Sequence, residues 1–167
     1  MTLPDDSDSS EQRALEAPLL RRAALKLGLE DAVVQGRRVA MSTTAYVQVD
    51  GWIASDPPAY FEVYASLGEP RGGQCHKLKG DVLKFALLRH RVPSARCVMV
   101  VTSEGAESWL GRGWVRQAVE QFRVEVCRVP LTEEEEAQLA TARIRQRQGM
   151  SQPRGPTTAK ATAKRRG

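Results

Sequence analysis

The sequence predicts one α/β domain with a mixed β-sheet flanked by helices. Three observations carry that prediction. Two strand-like runs, Tyr46 to Ala54 and Ala59 to Ser66, are joined by Ser55-Asp56-Pro57-Pro58, a turn that no sheet could continue through. Ala95 to Thr102 is an almost unbroken apolar run, as in a strand covered on both faces. Stretches with helical apolar spacing alternate with these runs. At 167 residues the chain suits one well-buried domain and is short for two.

Each element has its own signal. Residues 1 to 9 are acidic and polar and are expected to be disordered. A first helix is expected from about Ser10, with Leu15, Leu19, Leu20, Ala23, Ala24 and Leu27 on one stripe. Pro18 divides it into two short helices or sets a later start, and Gly28 stops it. Arg38 to Thr43 reads as the first strand, followed by the hairpin. Gly68 to Gly73 is a loop. Gln74 to His90 is a helix whose apolar face holds Leu78, Val82, Phe85 and Ala86, widened by Leu83 and Leu87. The apolar strand follows, then a helix over 105 to 122 anchored by Trp109, Val115, Val119 and Phe122, then a strand over Val124 to Val129. Thr132 caps a last helix, where Glu133 to Glu136 suit the positive helix start. The domain is expected to span residues 10 to 147, with a disordered basic tail over 148 to 167.

Charge is unevenly placed. The net charge is +5, yet eight basic residues lie from Arg143 onward with no acid among them, so everything earlier carries −3. A basic tail attracts polyanions such as nucleic acid without reading sequence, and equally serves as a solvated end. No apolar run is long enough to cross a bilayer, and the acidic start lacks the pattern of a signal peptide, so no membrane association and a cytoplasmic location are expected. Cys75, Cys97 and Cys127 show no metal-ligand spacing, and the last two read as buried thiols.

Chemistry concentrates in the hairpin and the helix after it. Asp50 and Glu62 fall at nearly opposite positions of the paired strands. Whether they share a face depends on register. On one face they would repel and need a counter-charge, and a divalent cation such as Mg2+ or Mn2+ suits oxygen donors. Glu62 lies in Tyr-Phe-Glu-Val-Tyr-Ala, where an acid needs a partner. Regular alternation puts Tyr46, Gln48, Asp50 and Trp52 on one face. Gln74, Lys77 and Asp81 form a polar edge of the helix with Lys84 beside them, and Lys77 could offer positive charge to a water or a phosphate oxygen. The other reading of these residues is an ordinary solvated edge.

An Asp in one hairpin strand, Glu62-Val63-Tyr64 in the next and Gln74-Cys75-His76-Lys77 opening a helix, within an αβββαβ order, resemble the PD-(D/E)XK nuclease superfamily with its restriction-endonuclease-like fold. The resemblance spans roughly residues 10 to 130. It implies an αβββαβαβ order and hydrolysis of nucleic acid, DNA foremost. It also implies Asp50, Glu62 and the Val63 carbonyl as Mg2+ or Mn2+ ligands, Lys77 and Gln74 as helpers of water and phosphate, and possible homodimers. Tyr64 stands where the family's lysine would, and a tyrosine supplies no permanent positive charge. Either Lys77 replaces that lysine, or the domain is a catalytically inactive relative that binds nucleic acid or protein.

Overall fold

The computed structural model describes residues 7–29 and 31–150, with side chains for 14–29 and 31–144. The expectations for residues 1 to 6 and for the tail beyond Met150 lie outside the described residues. The elements run α1 (Ser7–Lys26), β1 (Val34–Ala40), β2 (Tyr46–Ile53), β3 (Ala59–Tyr64), α2 (Gly73–Arg91), β4 (Arg96–Val101), α3 (Glu104–Leu110), α4 (Gly113–Gln121), β5 (Val124–Arg128) and α5 (Glu133–Met150). No helix among the described residues is long and apolar enough to cross a membrane.

The five strands form one mixed sheet in the order β1-β2-β3-β4-β5. β1, β2 and β3 pair antiparallel, and β3, β4 and β5 pair parallel. The parallel pairs follow from the helical crossovers, since only a long connection returns the chain to the same end of the sheet. Helices cover both faces. One core joins α2, α3 and α4 to the sheet through Leu78, Phe85, Leu88, Met99, Leu110 and Val115. The other joins α1 and α5 to it through Leu15, Leu19, Leu20, Phe61, Val98 and Leu139. β3 is central and buried along its whole length, which makes the acid Glu62 within it conspicuous.

Several boundaries differ from the sequence expectation. α1 is one helix with Pro18 inside it, starting at Ser7. Leu19, Leu20, Ala23 and Ala24 are buried against the sheet, and that packing outweighs the one hydrogen bond a proline removes. β1 lies earlier than expected. The helix expected over 105 to 122 is two, broken at Gly111-Arg112-Gly113, where Gly113 has φ +59°. α2 buries Leu78, Val82, Phe85 and Leu88, together with Asp81, whereas Leu83 and Leu87 face outward. Thr132 caps α5 as expected: its hydroxyl accepts from the Glu135 N–H, and the Glu135 carboxylate accepts from the Thr132 N–H.

Gly51 allows α1 to approach β2 closely. A Cβ there would fall 2.7 Å from Cδ2 of Leu20 and 3.0 Å from Cγ1 of Val33. Leu20 is fully buried and has little room to move. Gly51→Ala should therefore destabilise the fold by about 1–3 kcal/mol, the usual range for overpacking, read as a lower urea midpoint at unchanged m-value.

Candidate functional site

The hairpin pairs Gly51 with Phe61, Trp52 with Tyr60 and Ile53 with Ala59, and there the ladder ends. Beyond Gly51 and Phe61 the two strands part into a fork, although each continues for several residues. The cause is local to Asp50. The β1–β2 register runs through Gln35↔Gly51 and Arg37↔Val49 but skips Gly36 and Asp50. Gly36 has φ +64°, a backbone conformation that disfavours any residue with a Cβ. Val47 and Val49 pack in the same core as Trp52, which regular alternation would forbid. The face order therefore switches at Asp50, and the expected common face for Tyr46, Gln48, Asp50 and Trp52 is not formed. Val49 points inward and Tyr46 and Gln48 are exposed.

An open fork leaves backbone groups of two neighbouring strands without ladder partners, and buried ones must be satisfied otherwise. Side chains do this. Oδ2 of Asp50 accepts from the Val63 N–H at 2.8 Å. Nζ of Lys77, reaching back from α2, lies 3.4 Å from the Val63 carbonyl oxygen. Nζ of Lys84 donates to the Gln48 carbonyl at 3.3 Å. The register that the sequence left open thus brings Asp50, Glu62, Val63 and Lys77 into one place.

The ion pairs complete the arrangement. Lys84 Nζ lies 2.5 Å from Oε1 of Glu62 and 2.9 Å from Oδ1 of Asp81. Lys77 Nζ lies 3.2 Å from the other oxygen of Asp81. Asp81 therefore bridges two ammonium groups, one on each carboxylate oxygen. Its side chain is only 5% exposed and that of Glu62 1%. Spacing explains the bridge: residues 77, 81 and 84 are four and three apart and share a stripe of α2.

Electrostatics follow from the burial. Desolvation, and then the negative charges of Asp50 and Asp81, push the Glu62 carboxyl up to about 9, while Lys84 works against them. Burial pulls Lys77 down, but Asp81, Asp50 and Glu62 outweigh it and hold its pKa above the usual lysine value. Lys84 is likewise raised, its burial overcome by Glu62 and Asp81. Both lysines are therefore permanent cations at neutral pH. Tyr64 points to the α2 side and is nearly buried, with a hydroxyl that lies near Ser66 without completing a hydrogen bond. Burial raises its pKa, so it stays neutral.

Gln74 is placed differently from the expectation. Its side-chain oxygen accepts from the Arg71 N–H at 3.2 Å at the exposed start of α2, a local bond rather than one to the fork. Asp81 and Lys84 are the residues that sequence reasoning did not single out as a site. Their signal was present: Asp81 sits between Leu78 and Val82 on the face that docks, and a charge on a docking face needs partners.

Basic residues are frequent on α2 and β1. α2 carries Lys77, Lys79, Lys84, Arg89 and Arg91 against the single acid Asp81. On the edge strand β1, Arg37 stacks over Trp52 at 4.3 Å and Arg38 over Tyr46 at 4.6 Å from the ring centroids.

Fold and site together define an α/β protein whose five-stranded mixed sheet is flanked by helices and holds a polar, charge-dense fork, its elements running helix, three-strand meander, helix, parallel strand. No protein-family model and no curated protein matches the chain. Among solved structures it is similar to an XisH family protein from Nostoc punctiforme PCC 73102, with 13% identity and a TM-score of 0.49 over 71% of this chain and 92% of that one.

Proposed function

We propose that this protein is a divalent-cation-dependent phosphodiesterase acting on nucleic acid, with DNA as the foremost substrate. The observation that carries the reading is the place of Lys77. Its ammonium sits at the Val63 carbonyl, beside the strand position where Tyr64 cannot supply a charge. Lys77 on the helix would stand in for the lysine that the strand lacks.

The donors of the fork fit Mg2+ or Mn2+. Asp50, Glu62 and the Val63 carbonyl offer oxygen only, which hard cations prefer. Glu62 is pushed up by its own burial and by two neighbouring carboxylates, the condition that added positive charge relieves. Among the described residues no group of three or more His, Cys, Asp and Glu side chains is arranged to hold a metal ion, so backbone oxygen and water would complete the shell. A bound cation would polarise a phosphoryl oxygen and acidify a water. The chain's own residues do the rest. Asp50 is fixed by the Val63 N–H. Lys77, half exposed and fixed by Asp81, offers its charge to a phosphate oxygen or to the attacking water. Arg37, Arg38 and the basic residues of α2 attract the phosphate backbone, and the aromatic partners on β2 hold the two arginines in place.

A second reading is supported by one specific observation: the Lys84 ammonium already occupies oxygens of both Glu62 and Asp81. A domain occupied in this way would bind nucleic acid or a protein without cutting. The two readings separate in a cleavage assay on plasmid and single-stranded DNA with Mg2+ or Mn2+. The nuclease reading expects cleavage by the wild type and a loss of about 100-fold or more in Asp50→Ala and Lys77→Ala, the usual scale for removing a charge-stabilising group. Gln74→Ala should retain most of the activity, because Gln74 bonds locally. A folded wild type that binds DNA but never cuts it would establish the second reading.

A further inference from the structure

The ammonium of Lys84 occupies a seat built from three oxygens. Glu62 Oε1 lies at 2.5 Å, Asp81 Oδ1 at 2.9 Å and the Gln48 carbonyl at 3.3 Å. An ammonium has three N–H donors, so all of them are used. The walls of the seat are fixed, because Glu62 belongs to the central strand and Asp81 is buried on α2. Lys84 itself is less confined: its side chain is 31% exposed, and its stem leads to solvent. It can turn outward while the helix stays in place. Asp81 would not then lose all its positive charge, because Lys77 holds its other oxygen.

We propose that Lys84 is a tethered competitor for the divalent cation: an ion takes up Glu62 only by turning the ammonium out of its three-oxygen seat. This rests on the metal reading above and adds a residue to it that opposes binding. The reason is charge. Two cations a few ångströms apart on one buried carboxylate repel strongly, since little water lies between them to screen the repulsion. Lys84 is attached to the chain and therefore always at high local concentration, so it sets a threshold that the free ion must exceed. Once displaced, the same ammonium stands at the solvent side of the fork, where phosphate would arrive.

The test uses the full chain with Mn2+ alone, and needs no substrate. Free Mn2+ is followed by electron paramagnetic resonance during titration of wild type, Lys84→Gln and Lys84→Arg. The glutamine variant should bind at least tenfold more tightly than wild type, and the arginine variant, which keeps the charge, should remain close to wild type. Equal or weaker binding by Lys84→Gln, beside measurable binding by wild type, would overturn the competition while leaving the metal reading intact. Absence of Mn2+ binding in every form would overturn both. A second measurement on wild type alone does not depend on how the variants fold. Acetic anhydride labelling read by mass spectrometry should show Lys84 becoming several-fold more reactive at saturating Mn2+, with Lys79 as the internal reference. Unchanged Lys84 labelling at saturation would mean that the ammonium keeps its seat beside the metal, and the proposal would be wrong.

Discussion

Lys84→Met should destabilise the metal-free protein by about 3 kcal/mol at pH 10, where Glu62 is mostly ionised and Lys84 is still charged, the scale on which breaking a buried ion pair from one side is felt. Methionine keeps the length of the stem and removes the charge. Three acceptors then lose their donor together: Glu62 Oε1, Asp81 Oδ1 and the Gln48 carbonyl. Glu62 is 1% exposed and cannot turn to water. The penalty should shrink at pH 6, because a carboxyl pushed upward takes up a proton there and no longer needs a cation. Urea unfolding of wild type and variant at the two pH values measures this directly. An equal penalty at both would mean that Glu62 stays ionised throughout, and a penalty near zero would mean that the ammonium contributes no net stability.

The metal-free wild type should also lose stability as pH rises between roughly the ordinary glutamate value and 9, with a slope approaching about 1.4 kcal/mol per pH unit for one full proton. Burial first, and then Asp50 and Asp81, raise the Glu62 pKa to about 9. In this interval the folded state holds a proton that the unfolded chain releases, so each step to higher pH favours unfolding. The stability is fully present below the unfolded pKa and gone above the folded one. Glu62→Gln removes the titration while keeping an amide of the same shape. It should therefore flatten the profile and be more stable than wild type at pH 9. Thermal melts in chelator across pH 5 to 9 would decide the matter. The acid side is governed by other groups. Arg96 holds Glu125 below the usual range, mainly through its hydrogen bond. Glu135 is also low, since the bonds from Thr132 and Arg22 outweigh its burial. Their contributions are present at neutral pH and lost as pH falls through the lowered values.

Much of the chain declares itself locally. Two adjacent prolines end a strand whatever surrounds them, and Thr132 followed three residues later by Glu135 makes a capping box by spacing alone. The apolar run Arg96–Val101 became a strand buried on both faces, and Leu15, Leu19 and Leu20 are the face of α1 that docks. These are short-range facts of backbone geometry and apolar spacing. They were enough to give an α/β domain with a mixed sheet, to mark Asp50 and Glu62 as carboxylates in unusual surroundings, and to put Lys77 on the edge of the following helix.

Other features depend on groups far apart in sequence. Pro18 reads locally as an interruption, yet burial of four neighbours keeps α1 whole. The switch of faces at Asp50 needs Gly36 on the neighbouring strand, and neither residue signals it alone. The fork has the same origin: a hairpin reads as a ladder until the tertiary structure ends it after three pairs. Which lysine answers which carboxylate was equally beyond the sequence, because α2 could be placed over the sheet only when its buried face was known. The elements, the carboxylates and a supply of lysines on one helix edge can be read along the chain. Long-range packing alone makes Lys77 meet Val63, seats Lys84 on Glu62 and lets Asp81 bridge the two lysines. Hydrophobic spacing is written residue by residue, whereas the partner of a buried charge is whatever the folded chain brings within about 3 Å of it.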